Sequence, residues 1–398
     1  MPTVSAVPAK PKGDPILRIM ELFQADTRPD KIDLSVGVYK TTEGHTPVLA
    51  SVKEAERRIL GAEQSKTYLG LAGNVGFSKA LGELIFGTDG WASGSIASLQ
   101  SVGGSGALRL IFEYARQRAG IKRVHVSVPT WENQSGIAAA TGLEIGRYPY
   151  FDRQSSSLQF EVMLDALGKL GPEDAVLLHG CCHNPTGTDL NRAQWQAVAD
   201  LALARGWLPM VDLAYAGFGT SLEQDTAGLN LLRATVPTTL VAASCSKNFG
   251  LYRERVGAAY IATESPDHAV SAAAEMMRIA REIYSMPPDH GAAIVQTILT
   301  DAGLRAMWFE ELGQMRDRIN EMRALLSQAL NRLDGSNRFD HLASQRGMFS
   351  LLELSVEQVC RLRDEFAVYL IEDGRTNVAG ITAANVDATA RALLAVWK

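Results

Sequence analysis

Between residues 124 and 262 the chain repeats one pattern, a short and largely apolar run followed by a longer stretch of helical spacing. The runs are Val124–Pro129, Ala175–Cys181, Leu208–Leu213, Thr239–Ser244 and Val256–Ala262, and Arg192–Ala204 is one of the helix-like segments between them. Strands that are apolar along their length must be covered on both faces, and alternating helices do this. The expected fold is α/β, a mostly parallel central sheet covered by helices. In such sheets ligands sit beyond the C-terminal strand ends, so the residues that follow each run are the first candidates for chemistry.

From Leu304 the pattern changes. Leu304, Trp308, Leu312, Met315, Ile319, Met322, Leu326 and Ala329 recur at steps of three and four, one stripe on a long helix that is expected to link two domains. A strand at 348–354, a helix at 355–366, a strand at 368–371 and a helix at 382–397 follow, an α+β layout. At the other end, residues 1–13 carry prolines at 2, 8 and 11 and read as an extended arm. A helix start is expected near Asp14-Pro-Ile-Leu, an alternating strand over Lys31–Lys40 and a helix over Ser51–Leu60. The expected division is an arm (1–13), a small α+β domain (14–45 and 316–398) and a large domain (46–315).

Composition excludes several classes. With 398 residues, 46% of them hydrophobic, and a net charge of -5 without any basic run, the chain has a large core and no nucleic-acid footprint. No apolar stretch approaches the roughly 18 residues of a membrane span, and the first residues lack a signal peptide's apolar centre, so a cytoplasmic protein is expected. Cys181, Cys182, Cys245 and Cys360 show no CxxC spacing and read as reduced, buried thiols.

Five segments bear on chemistry. Ser244–Gly257 places Lys247 at one strand end and Arg255 just before the next strand. Such a pair suits a cofactor that offers an aldehyde and a phosphate; an ordinary charged turn is the other reading. Ser101-Val-Gly-Gly-Ser-Gly-Ala-Leu108 is a glycine-rich turn opening a helix to about Ala119, where backbone N–H groups and the Ser105 hydroxyl form an anion cradle. In His179-Gly-Cys-Cys-His-Asn-Pro-Thr-Gly187, Asn184 either serves the turn or donates to a phenolate oxygen. The two histidines four apart are not on a helix and have no carboxylate nearby, so no metal is expected. Asp212 and Tyr215 end an apolar strand, where a carboxylate is costly unless a protonated heterocyclic nitrogen pairs it or it caps a helix. Arg375, beside a short C-terminal strand, is either solvated or a fork for a carboxylate.

Together these segments resemble the class I aminotransferases that use pyridoxal phosphate, and among them the aspartate and aromatic amino acid aminotransferases. The likeness runs through Val36-Gly-Val-Tyr-Lys40, Gly44-His-Thr-Pro-Val-Leu49, Thr67-Tyr-Leu-Gly70, the 179–187 segment, Ser246-Lys-Asn-Phe-Gly-Leu-Tyr-Arg-Glu-Arg255 and Arg375-Thr-Asn-Val-Ala-Gly380. It implies a seven-stranded central sheet of the fold type I kind with a smaller α+β domain. Lys247 then matches the Schiff-base lysine and proton shuttle, Asp212 the partner of the pyridinium nitrogen, Tyr215 and Asn184 the ligands of the phenolate oxygen, and Trp131 the aromatic stacked on the ring. Gly104, Ser105, Ser244 and Arg255 match the phosphate grip, joined by Tyr68 from a second subunit. Arg375, near the backbone of Gly37, matches the α-carboxylate fork, and Arg281 an arginine lent by the partner to a distal carboxylate. The resemblance implies a homodimer and transamination of tyrosine, phenylalanine and aspartate with 2-oxoglutarate as acceptor.

Departures from the family pattern bear on substrate. Gln134 stands where the family has a histidine supporting the aspartate, Met286 where aspartate-preferring members carry asparagine, and Ser105 where threonine is usual. Met286 and Ser105 resemble the aromatic branch, whereas Val38, Lys40 and Thr46 resemble the aspartate branch. Dual specificity is expected, with a strict aspartate aminotransferase as the alternative. A lyase or decarboxylase of the same fold and a non-catalytic ligand sensor are further alternatives. Both matching arginines speak against the first, and the presence of Lys247, Asp212 and Arg375 speaks against the second, for which no appended DNA-binding segment is expected.

Overall fold

The computed structural model describes residues 15–397. The arm expected at 1–13, and Asp14 of the expected helix start, lie outside the described residues. A helix does run from Pro15 to Ala25.

Seven strands form the central sheet: β1 (Ile96–Val102), β2 (Arg123–Val128), β3 (Glu144–Pro149), β4 (Asp174–His179), β5 (Leu208–Leu213), β6 (Thr239–Ser244) and β7 (Val256–Ala262). In space their order is β1-β7-β6-β5-β4-β2-β3. All neighbours are parallel except those of β7, which runs against both β1 and β6. The five apolar runs all become strands. β1 and β3, the two edges, carry no such run. On β3, Glu144 and Arg147 face solvent, while β1 hides the polar Gln100 and Ser101 completely. Gln100 is satisfied there by the backbone N–H of Asn74 at 2.7 Å and the carbonyl of Pro288 at 2.8 Å.

Alternation along the strands splits the interior in two. Val176, Leu178, Val211, Leu213, Val241 and Ala243 face one core with Trp195 and Trp308. Ala175, Leu177, Met210, Leu240 and Ala242 face the other, against α1 (Gly103–Gln117), which contributes Ala107, Leu108 and Ile111. Burying each large aliphatic side chain contributes roughly 1.5–3 kcal/mol, which makes these two layers the main stabilising feature.

Three further helices frame the sheet edge and the cores: α2 (Glu132–Ala139), α3 (Pro266–Ile283) and α4 (Ala302–Asp334). The stripe on α4 is buried as expected, but it serves two cores. Leu304, Trp308, Leu312, Met315 and Ile319 join the sheet core, whereas Met322, Leu326, Ala329 and Leu330 join a third core with Ile32, Leu34, Leu352, Val368 and Leu393. The Asp301 side chain accepts the Leu304 N–H at the start of α4, and Gly335, at φ 70°, ends it in the left-handed conformation that glycine adopts without strain.

Around the third core the strands are shorter than expected. The strand expected over Lys31–Lys40 is regular only at Ile32–Asp33, paired in parallel with Val368–Tyr369. The Asp33 carboxylate then accepts both the N–H and the hydroxyl of Ser35 and bends the chain away. The strand expected at 348–354 contracts to Phe349–Leu351, paired antiparallel with Arg375–Asn377. The helix expected from 382 is regular only from Val386; before it, Thr382 and Asn385 form a turn, each side chain accepting the other's backbone N–H. Among the described residues no helix is long and apolar enough to cross a membrane. All four cysteines are free thiols.

Candidate active site

The sheet explains how distant segments converge. β1, β2, β4, β5 and β6 end along one edge, and antiparallel β7 begins there, as the register pairs His179 with Asp212 and Gly257 with both Ser244 and Ser101 show. Gly103, Trp131, Asn184, Asp212, Tyr215, Lys247 and Arg255 all leave the sheet at or just beyond that edge.

At one end lies a cationic cradle. α1 starts at Gly103, and no side chain caps it, so its first N–H groups are open to an anion. Gly103 sits at φ +66°, and a Cβ there would stand 2.6 Å from Nη2 of Arg255; one on Gly104 would stand 3.0 Å from Cβ of Ser244. Ser105 is half-buried in the same first turn. Among the described residues Arg255 donates to neutral oxygens, the Ser246 hydroxyl at 3.3 Å and the Tyr252 carbonyl at 3.0 Å, and neither pairs its charge.

At the other end is Arg375, buried above the ring of Phe349 with 4.4 Å from the guanidinium carbon to the ring centroid. Its contacts are long, Nη1 to Asn184 Oδ1 at 3.4 Å and Nη2 to the Ser35 carbonyl at 3.4 Å, and its Nε has no partner among the described residues. Burial pulls the guanidinium's pKa below its usual value. A buried cation with neutral contacts and an orphaned donor is a ready receptor for a carboxylate. Gly37 lies close by, where a Cβ would stand 2.8 Å from Cζ of Phe349.

Between the two ends sit the groups that handle protons. Asp212 is buried and accepts a 2.7 Å bond from Gln134 Nε2. It caps no helix, since Ser221 performs that role for the helix beyond it. Lys247 Nζ stands 4.7 Å from the centroid of the Tyr215 ring. Burial lowers its pKa to about 8, with Asp212 opposing the shift and Arg255 and Arg375 adding to it. Burial raises the pKa of the Tyr215 phenol. Asn184 is buried, and Trp131, just before α2, packs half-buried against the second core.

Tyr68 and Arg281 stand apart from this cluster. Tyr68 is 89% exposed, and Arg281 is exposed in the last turn of α3. Met286 reaches the loop bearing Tyr68, its Sδ accepting the Leu69 N–H at 3.0 Å. Sequence reasoning missed Thr130, Phe349, Ser246 and the Ser35 carbonyl. Only Thr130 carried a signal, its position beside Trp131 at a strand end; the others are an apolar strand residue, a common serine and a backbone group.

The chain matches the family described as aminotransferase class I and II over residues 29–393. It belongs to that family. It is 46% identical over 388 residues to an aromatic-amino-acid aminotransferase of Paracoccus denitrificans, covering 97% of this chain and 98% of that one. It is 43% identical over 395 residues to an aspartate aminotransferase of Escherichia coli, covering 99% of both. Among solved structures, an aromatic-amino-acid aminotransferase from Burkholderia pseudomallei, described as covalently bound to pyridoxal phosphate, superposes with a TM-score of 0.96 at 42% identity, each chain wholly covered. As a class I aminotransferase the protein is a transaminase whose cofactor is pyridoxal 5'-phosphate, and its central sheet and helices are those of fold type I.

Proposed function

We propose that this aminotransferase moves the amino group of tyrosine, phenylalanine and aspartate to 2-oxoglutarate, acting in the cytoplasm as a homodimer with shared sites. The observation that carries the reading is the buried, under-partnered Arg375, which asks for a substrate carboxylate. Similar identity to relatives named for aromatic substrates and for aspartate supports the pairing of substrate classes.

The residues fit the cofactor. Two anion receptors, the open start of α1 with Arg255 and the buried Arg375, flank an aspartate and a lysine whose amine is lowered towards neutral pH. In this reading Gly104, Ser105, Ser244 and Arg255 hold the phosphate together with the partner subunit's Tyr68. Asp212 keeps the proton on the ring nitrogen, Asn184 and Tyr215 hydrogen-bond the phenolate oxygen, and Trp131 covers the ring. When bound, the cofactor supplies an electron sink for the charge left at the substrate's Cα. Arg375 orients the α-carboxylate beside Gly37, and Lys247, as a free amine, takes the proton from Cα and delivers it to the acceptor carbon. The partner subunit's Arg281 receives a distal carboxylate, and its exposure in a single chain is consistent with that service. The division into an arm (1–13), a small unit (14–45 and 316–398) and a large unit (46–315) belongs to the same reading, supported by the separate third core around Leu34, Leu326 and Leu393.

Steady-state turnover with aspartate, tyrosine and phenylalanine, each with 2-oxoglutarate, tests the proposal. Values of kcat/KM within about a hundredfold of each other agree with dual specificity, the range a pocket tolerates for mismatched side chains. Turnover of aspartate alone leaves the strict aspartate enzyme. Sedimentation equilibrium tests the dimer, and a monomer with full activity would refute shared sites.

A further inference from the structure

Asp212 is held by a chain of neutral groups. Gln134 Nε2 donates to Asp212 Oδ2 at 2.7 Å, Thr130 Oγ1 donates to Gln134 Oε1 at 2.6 Å, and Thr130 Oγ1 also lies 3.1 Å from His179 Nε2. A threonine hydroxyl has one hydrogen. Spent on Gln134, that hydrogen leaves Thr130 only as an acceptor toward His179, so His179 carries its proton on Nε2. The 3.4 Å approach of Gln134 Nε2 to the same ring nitrogen is the weaker contact and does not compete. The polarity of the chain is therefore fixed from His179 through Thr130 and Gln134 to the carboxylate.

We propose that Thr130 is a positioning residue for the reaction: its hydroxyl anchors the Gln134 amide through Oε1 and so holds the NH2 group against Asp212. The inference rests on the reading in which Asp212 holds the ring nitrogen of the cofactor. The carboxylate, an acceptor alone, itself selects the NH2 face of the amide; the Thr130 hydroxyl satisfies the buried Oε1 on the other side, and without it that oxygen loses its donor and the amide its anchor against Asp212. An imidazole at position 134 would carry its own charge and tautomer; the amide depends on its neighbour to hold it in place. Among the described residues the titratable groups facing Asp212 are His179 on β4, Tyr215 and Lys247, and Gln134 donates to the carboxylate directly. A carboxylate deprived of its donor becomes more basic and competes for the ring proton. With the cofactor bound, a less positive ring would raise the pH midpoint of the holoenzyme's visible band.

The test uses the full holoenzyme, following that visible band against pH, with cofactor retention on dialysis as a second readout. Thr130→Val and Gln134→Leu are both expected to move the midpoint upward, by about half a pH unit or more, the size one ordinary hydrogen bond corresponds to. Both are also expected to shorten cofactor retention, while Thr130→Ser stays at the wild-type values. Thr130→Ala takes the place of the valine variant should the latter not fold. A midpoint indifferent to valine or alanine, or one moved equally by serine, overturns the inference. A wild-type protein with no visible band would instead overturn the placement of the cofactor, so the two failures are distinguishable.

Discussion

Replacing Arg375 by leucine is expected to weaken catalysis severely without weakening the fold. In the structure the guanidinium is buried, has two neutral contacts at 3.4 Å and, among the described residues, leaves Nε without a partner. Two charge-assisted hydrogen bonds to a substrate carboxylate are each worth about 1.5–3 kcal/mol. Their combined loss of about 3–6 kcal/mol corresponds to roughly a hundredfold to ten-thousandfold in kcat/KM. The same leucine removes an unpaired buried charge, a change that is often neutral or stabilising. Urea midpoints should therefore stay level or rise while kcat/KM for tyrosine collapses. Tyramine, which lacks the carboxylate, should react equally poorly with both proteins. A loss in kcat/KM below about tenfold, or a fall in stability above about 1 kcal/mol, would show that Arg375 is a structural cation and refute the reasoning.

Other outcomes stem from the same geometry. In the cofactor-free protein Lys247 titrates near 8 rather than 10.5 because burial disfavours its ammonium. Below pH 8 the folded state must carry that buried charge; between 8 and 10.5 the unfolded chain binds the extra proton, so stability rises with pH across this window. Urea midpoints of wild type and Lys247→Met at pH 7.5 and 10 should show the wild type gaining relative to the variant, and equal trends would contradict the burial. Gly103→Ala puts a methyl 2.6 Å from Arg255 Nη2 at φ +66° and should weaken cofactor binding by about tenfold or more by displacing that guanidinium, while the positive φ separately costs about 1–2 kcal/mol of folding stability; equilibrium titration of the apoprotein checks the first and urea unfolding the second. Trp308 is fully buried, stacks on Phe249 at 4.3 Å and donates to the Asn248 carbonyl at 2.8 Å, just beyond Lys247. Its replacement by alanine should cost about 3–5 kcal/mol in urea unfolding, and phenylalanine, which keeps the stack, much less. Met286→Asn should raise aspartate over phenylalanine turnover several-fold, and an unchanged ratio would show that the Met286 contact with Leu69 has no part in specificity.

The central sheet was legible wherever a strand is apolar on both faces. Thr239–Ser244 and Val256–Ala262 are apolar at nearly every position and came out at their boundaries, whereas the edge strands β1 and β3 carry Gln100, Ser101, Glu144 and Arg147 and left no periodic trace. The small strands around the third core contracted because their backbones are turned by side chains such as Asp33, a local competition that alternation does not report. Asp212 was legible as a costly carboxylate that needed a partner. Its support by Gln134 followed from the family pattern, but the Thr130 hydroxyl behind it is a matter of one hydrogen's direction. Phe349 beneath Arg375 could not be told from any other apolar strand residue.

The most direct test of the account is the near-ultraviolet and visible spectrum of the purified protein with pyridoxal phosphate, followed as aspartate or, in a separate sample, phenylalanine is added without any oxo acid. The account predicts a visible band that both amino acids convert to the amine form of the cofactor. A band that persists with both would contradict transamination at this site, and one that yields to aspartate alone would contradict the dual specificity.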